Sequence, residues 1–291
     1  MKVFVTGVAG QLGHDVVNEL TKRGHQAVGS DIAPTLESCA SYVTLDITDA
    51  AAVEQTIMQV QPDAIVHCAA WTAVDAAEDE ENQAKVRAIN VDGTKYIADA
   101  AKKVDAKMVY ISTDYVFDGK GTRPYLEFDR PNPQGVYGET KLAGENMVKD
   151  FADRYFIFRT AWLYGDGKNF VKTMLRLSED HDQVRVVRDQ VGSPTSTKEL
   201  AGAIAHLLFT ENYGLFHATC EGSCSWADFS REIFRLAGKP TEVVGITTEE
   251  FGAKAPRPAY SILENYMLKL TTDYRFADWH DAIALYMKEL L

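Results

Sequence analysis

No apolar run in the 291 residues approaches the length of about 20 that a bilayer-spanning helix needs, so a helical membrane protein is not expected. Met1-Lys2-Val3-Phe4-Val5-Thr6-Gly7 meets glycine too soon to read as a secretory signal. Cysteine is scarce: Cys39, Cys68, Cys220 and Cys224 are the whole complement. Cys220 and Cys224 stand as Cys-x-x-x-Cys, but no second pair or histidine accompanies them at metal spacing. Reduced thiols are therefore expected, in a cytoplasmic protein. Positive charge is also short, with 30 Lys and Arg against 42 Asp and Glu, a net charge of -12. That balance argues against nucleic acid and against an anionic membrane surface as partners. An anionic small substrate stays open, because a local basic pocket can sit on an acidic protein. Tandem repeats, low-complexity tracts and clear linkers are missing too.

What is present is an alternation of short apolar runs and helical patterns. Residues 2–6 read as a buried strand, followed at once by Thr6-Gly7-Val8-Ala9-Gly10-Gln11-Leu12-Gly13 and a helix through Val16, Val17 and Leu20. In a strand–turn–helix setting, Gly7 allows a tight turn, Gly10 close backbone approach to a pyrophosphate, and Gly13 close helix–strand packing. The phosphates then meet free N–H groups at the helix start. A second strand at 26–30 ends on Asp31, 18 residues after Gly13. An acidic side chain there accepts hydrogen bonds from an adenosine ribose and repels a 2′-phosphate. No Arg or Lys follows before Cys39, so NADH is favoured over NADPH. A third strand at 42–45 leads to Asp46 and Ile47, placed to touch an adenine, and a fourth at 64–68 opens into Ala69-Ala70-Trp71-Thr72. The acid run 78–81 reads as a solvated helix start. A helix over 82–103 carries Asn90, which by itself reads as a solvent-facing or packing residue.

A fifth strand, 107–111, delivers Ser112-Thr113-Asp114 to the carboxyl edge of the sheet, where ligands collect. Residues 115–135, with Pro124, Pro131 and Pro133, form a loop long enough to be a lid or binding loop. Tyr137 and Lys141 follow, four apart and so on one face of a helix. A free phenol has a pKa near 10, and an ammonium one turn away lowers it. Such a phenol can exchange a proton with a sugar-type hydroxyl. Beyond Trp162 the alternation loosens, with helices expected at 169–178, 197–208, 225–237 and 278–290 and strands at 184–187 and 214–218. The fold class is α/β, a Rossmann-type doubly wound parallel sheet with a small C-terminal substrate-binding lobe. Residues 1–164 and roughly 196–220 are assigned to the dinucleotide-binding domain, and roughly 165–195 with 221–291 to the lobe.

Taken together these motifs resemble extended short-chain dehydrogenase/reductases and, within them, the dTDP-4-dehydrorhamnose reductases. The resemblance runs through the glycine turn, Ala69-Ala70-Trp71-Thr72-Ala73-Val74-Asp75, Ser112-Thr113-Asp114-Tyr115-Val116-Phe117, Tyr137-Gly138-Glu139-Thr140-Lys141, Arg159-Thr160-Ala161-Trp162, Asp189-Gln190-Val191-Gly192-Ser193-Pro194-Thr195 and Arg257-Pro258-Ala259-Tyr260-Ser261. It implies NAD(P)H-dependent reduction of the 4-keto group of dTDP-4-dehydro-L-rhamnose. Tyr137 would protonate the carbonyl oxygen, and Lys141 would hold the nicotinamide ribose and depress the phenol's pKa. Thr113 would hydrogen-bond the carbonyl, and Asn90 would match the active-site asparagine. Asp114 and Trp162 would line the sugar pocket. Gly10, Gln11, Leu12, Asp31, Asp46, Ile47, Ala70, Trp71 and Thr72 fall on cofactor-contact positions. Trp71 departs from the tyrosine or histidine more usual there. The resemblance further implies either cofactor, a homodimer, and in some members Mg²⁺ at a dimer contact, for which no ligand set can be carried over.

Two other readings stay open from the residues. One is another nucleotide-sugar reductase, epimerase or dehydratase, although Thr113-Asp114 followed by Tyr115 lacks the Asp-Glu that dehydratases add. The other is a non-catalytic subunit like the regulatory β subunit of methionine adenosyltransferase, which would not need the Tyr137, Lys141 and Thr113 proton relay.

Overall fold

The structure is a computed structural model and describes residues 1–34, 39 and 41–291. The apolar runs become strands β1 (Lys2–Thr6), β2 (Gln26–Asp31), β3 (Tyr42–Thr44), β4 (Ala64–His67), β5 (Lys107–Thr113) and β6 (Tyr155–Thr160). Between them lie helices α1 (Gln11–Lys22), α2 (Ala50–Val60), α3 (Val74–Ala77), α4 (Glu80–Arg87), α5 (Thr94–Lys103) and α6 (Val136–Phe151). The second half adds β7 (Leu163–Tyr164), α7 (Phe170–Asp180), β8 (Gln183–Val187), β9 (Val191–Gly192), β10 (Thr195–Ser196), α8 (Thr197–Leu207) and β11 (Gly214–His217). It ends with β12 (Cys224–Ser225), α9 (Trp226–Leu236), β13 (Glu242–Ile246), α10 (Thr248–Phe251), α11 (Tyr266–Thr271) and α12 (Trp279–Leu290). No helix among the described residues is long and apolar enough to cross a membrane.

Seven strands form one parallel sheet in the order β11-β6-β5-β4-β1-β2-β3. Side chains alternate across it as the pleat requires. Val3 and Val5 point into a core shared with Val16 and Leu20 of α1 and Ile204 of α8. Phe4 points the other way, into a core with Ile57, Ile97 and Val148 of α2, α5 and α6. The chain moves outward in opposite directions from β1 and from β4, so the carboxyl ends of these neighbours splay apart and leave a crevice. Residues 196–217 return to this sheet, α8 packing along α1 and β11 pairing with β6. The remaining strands pair in three small sheets, β7 with β10, β9 with β12 and β8 with β13.

Three local features differ from expectation. The helix expected over 82–103 contains a π-helical turn, Ala88–Gly93, centred on Asn90. Such wide turns relax the backbone ladder and recur at functional sites. The acid run is solvated only in part: Glu80 and Glu81 are exposed in the first turn of α4, whereas Glu78 Oε1 accepts the Val136 N–H at 2.8 Å, at the start of α6. Asp79 pairs with Lys254. The long loop is not a free lid either. Bridges from Lys120 to Tyr260 and from Tyr125 to Leu263 fasten it, and Phe117 stacks on Tyr125 with centroids 4.2 Å apart. The stretch whose lack of Arg and Lys entered the cofactor expectation includes residues 35–38, which lie outside the described residues.

α6 lies unusually close to its neighbours. A Cβ added at Gly144 would sit 2.2 Å from Tyr110 Oη and 2.6 Å from the Asn90 carbonyl oxygen. The glycine therefore sets how near α6 approaches the π-helical turn. Gly144→Ala is expected to destabilise the fold by about 1–3 kcal/mol, the usual scale of overpacking. The check is the denaturant midpoint at unchanged slope; a shift below about 0.5 kcal/mol would mean the contact is soft.

Candidate active site

The crevice is a groove of about 860 Å³, lined from Gly7 and Gly10 at one end to Tyr137, Lys141 and Trp162 at the other. Its size matches cofactor sites generally. Gly7 has φ +71°, and a Cβ there would lie 2.6 Å from Ala69 N. A Cβ at Gly13 would lie 2.3 Å from Gly7 O. Packing within the protein thus accounts for these two glycines. Gly10 is different: its Cβ would meet only Gly7 O, at 3.2 Å. Gly10 also caps α1 without a side-chain bond, and the first turn holds no acidic residue. Its N–H groups are free for an anion, and the missing side chain gives the anion access. Four polar atoms without partners, Ser30 Oγ, Gln11 Oε1, Thr160 Oγ1 and Asp114 Oδ2, belong to residues lining the groove. Glycine turn, helix start and unpaired polar atoms together fit a dinucleotide.

Asp31 closes β2 at the groove wall, its Oδ2 accepting the Ala9 N–H at 3.0 Å and its Oδ1 the Ile32 N–H at 2.8 Å. The carboxylate is thereby fixed beside the turn. Asp46 Oδ1 accepts from Thr48 N and Oγ1, at 2.9 and 2.7 Å, which orients it at the lining beside Ile47. Ala70, Thr72, Leu12 and Gln11 line the groove as well. Trp71 does not: its indole donates to Ala73 O at 3.0 Å, and Lys85 Nζ lies 5.7 Å from the ring centroid. Only its backbone serves the site, and Asn90 holds it. Asn90 Oδ1 accepts the Trp71 N–H at 2.8 Å, and Nδ2 donates to Trp71 O at 3.3 Å and to Thr140 Oγ1 at 3.2 Å. Asn90 is buried and off the lining, neither solvent-facing nor in contact with the groove. It joins the β4 loop to α6 one residue before Lys141.

Tyr137 and Lys141 share the inner face of α6 and line the groove with Thr113, Asp114 and Trp162. The expected depression of the phenol's pKa does not describe this structure. Burial pushes the Tyr137 phenol well up, with Thr113 opposing and Asp114 and Tyr115 adding to the rise. Burial likewise pushes Lys141 down to about 7, against the pull of Glu145. Desolvation is the largest cause for both groups, Lys141 being buried and Tyr137 half-buried in the groove wall. Lys141 Nζ stands 4.2 Å from the Tyr110 ring centroid. Beneath it lies a buried ion pair, with Arg159 Nε and Nη2 each 2.8 Å from Glu145 and Ser112 Oγ donating to Glu145 at 2.6 Å. Burial pushes the Glu145 carboxyl up, but the Arg159 guanidinium and Ser112 hydroxyl outweigh it and hold it low.

Burial also pushes the Asp114 carboxyl up to about 6. Its Oδ1 accepts from Thr113 Oγ1 at 3.0 Å while Oδ2 is buried without a partner. Trp162 adopts φ +50°, strain of about 1–3 kcal/mol for a non-glycine residue. It stacks on Trp226 at 3.5 Å with 7° between planes. Sequence reasoning missed Trp226, Ser30, Thr160, Lys85 and Lys168. Ser30 and Thr160 lie at strand ends and were open to the carboxyl-edge rule; Lys168 reaches the groove only through the fold, its carbonyl accepting from Gln11 Nε2 at 3.1 Å. Among the described residues no group of three or more His, Cys, Asp or Glu is placed to hold a metal ion.

Known proteins share this architecture. The dTDP-4-dehydrorhamnose reductase of Streptomyces griseus is 40% identical over 288 residues, covering 96% of this chain and 91% of the relative. A solved dTDP-4-dehydrorhamnose reductase of Clostridium acetobutylicum has 46% identity and a TM-score of 0.94, covering 100% of this chain and 99% of that one. That of Bacillus anthracis, solved in complex with NADP, has 40% identity and a TM-score of 0.93, with 99% of both chains covered. The RmlD substrate binding domain matches residues 1–291, and the chain belongs to that family.

Proposed function

We infer that this chain reduces the 4-keto group of dTDP-4-dehydro-L-rhamnose to give dTDP-L-rhamnose, using a nicotinamide cofactor. The observation that carries the reading is the convergence of Tyr137, Lys141 and Thr113 at one end of a groove whose other end is the glycine turn. The similarity to proteins named for that activity supports it. The bound cofactor supplies the hydride. This chain supplies position, a proton and a dry, polar pocket. Gly10 and the α1 N-terminus receive the pyrophosphate, Asp31 the adenosine ribose, and Lys141 the nicotinamide ribose. Residues 1–164 and roughly 196–220 carry the cofactor, and the rest completes the sugar side.

The sugar's carbonyl oxygen sits between the Tyr137 and Thr113 hydroxyls; Tyr137 is the donor to the negative charge that develops there, and Thr113 joins it by turning its one hydrogen from Asp114 Oδ1 to that oxygen. A phenol pushed up by burial is fully protonated at neutral pH, as an acid in the reductive direction must be. Tyr137 Oη gives its proton to that oxygen and the alcohol forms. Asp114 and Trp162 bound the sugar, the unpaired Asp114 Oδ2 taking a sugar hydroxyl.

Tyr137→Phe is expected to keep cofactor affinity and lose about 10²–10⁴-fold in turnover, the range of a general acid. Oxidation of NAD(P)H with the sugar nucleotide measures it, and near-normal turnover would remove Tyr137 as the proton donor. An Asp31 carboxylate facing the ribose favours NADH. Asp31→Ala should shift the NADH-to-NADPH preference towards NADPH by about 5- to 10-fold, on the ~1 kcal/mol scale of two partly solvated charges. Unchanged discrimination places Asp31 away from that ribose. Lys141 at about 7 is mostly neutral at pH 8 before cofactor binds. A ribose hydroxyl bonded to its ammonium raises that pKa, so binding at pH 8 should take up a large part of one proton. Calorimetry in buffers of different ionisation heat reads this, and the uptake should vanish in Lys141→Met.

A further inference from the structure

His67, at the end of β4, is buried and takes no part in the chemistry above. Its ring lies in a chain of hydrogen bonds whose directions are fixed by what each group can donate. Thr94 Oγ1 gives its one hydrogen to the Asn90 carbonyl at 2.9 Å, so at 3.2 Å it accepts from His67 Nε2–H. A neutral imidazole has one N–H, which leaves Nδ1 to accept from Thr6 Oγ1 at 2.8 Å. Thr6 Oγ1 in turn accepts the Ala69 N–H at 3.2 Å. On the far side, Asn90 Nδ2 donates to Thr140 Oγ1 at 3.2 Å, and Thr140 spends its hydrogen on the backbone carbonyl of Tyr137 at 3.0 Å. Every side chain in the series is buried. The series starts beside the glycine turn and ends on the backbone of Tyr137. It crosses the π-helical turn, where Asn90 contributes its carbonyl to one half and its amide to the other.

We propose that His67 is a positioning residue for the reduction: by holding Thr94 it sets the π-helical turn, and through Asn90 and Thr140 it seats Tyr137. Lys141 rides on the same turn of α6. Removing the ring leaves Thr6 and Thr94 without their shared partner, buried hydroxyls that must find new bonds or stand unsatisfied. The π-helical turn, which Thr94 follows and bonds, is the element that this loss displaces. Displacing a reacting group by about 1 Å can cost 10²-fold in rate. Binding of the pyrophosphate and adenosine at the glycine turn does not pass through Tyr137's backbone, and Lys141 adds a single contact at the nicotinamide ribose, so turnover should suffer far more than cofactor affinity.

The inference rests on the reductase reading, and three proteins separate the two. His67→Leu should lower kcat by about 10- to 100-fold with cofactor Kd within about twofold of the wild type. His67→Gln, whose amide N–H reaches the place of Nε2, should recover kcat to within about fivefold. Wild-type kcat in His67→Leu, equal loss in both variants, or a fall in cofactor affinity matching the fall in kcat would each overturn the proposal. If the wild type does not reduce the sugar nucleotide, the reductase reading fails instead. The variants are then judged by amide hydrogen exchange over residues 88–94 and at Tyr137. Exchange faster in His67→Leu and restored in His67→Gln sustains the positioning role; unchanged exchange in His67→Leu ends it.

Discussion

The nearness of α6 to the sheet's carboxyl edge is the constraint on which the site depends. Two glycines permit it. A Cβ at Gly138 would lie 2.2 Å from Tyr115 O, and one at Gly144 would press on Tyr110 Oη and the Asn90 carbonyl. Without those side chains the helix sinks until Lys141 is buried and Tyr137 half-buried in the groove wall rather than displayed on a surface. Their burial then governs their protonation. A lysine that stays charged in water is brought to a pKa of about 7, and the phenol is kept protonated.

Depth has to be combined with definite orientation, and polar contacts under the helix supply it. The Glu145–Arg159 pair anchors one side, with Ser112 completing the carboxylate's bonds. Asn90 anchors the other side and fixes the backbone of Trp71 in the same grip. Glu78 holds the first turn through the Val136 N–H. The groove is therefore rigid at the end where a proton is moved and open-backed at Gly10, where a phosphate must approach.

Much of this was legible in the residues because it is local. A five-residue apolar strand running into Gly7, Gly10 and Gly13 and then into a helical period has few other outcomes, and the strands and helices up to Lys141 fall close to their expected bounds. Of the expected site residues, all but Asn90 and Trp71 line the groove. Those two bond to each other, and a contact between partners 19 apart in sequence leaves no periodic trace. The π-helical turn was equally hidden, since its composition, Ala88 to Gly93, is compatible with an ordinary helix. Glu78 read as solvated because its partner, Val136, lies across the long loop. The direction of the Tyr137 shift was misjudged for a related reason: neighbouring charge can be read from spacing, whereas burial is a property of the finished fold.

The ion pair beneath Lys141 has a consequence for how this sequence can drift. Glu145 and Arg159 are almost wholly enclosed, and stripping either partner strands the other's charge at a cost of about 3–5 kcal/mol, a large share of a typical domain's stability. Exchanging both for well-packed apolar side chains need carry no such penalty. Positions 145 and 159 therefore behave as one heritable unit. Lineages that depart from it must cross by a double step, and a chimaera joining a parent that keeps the pair to one that has abandoned it, cut between α6 and β6, inherits half a bridge.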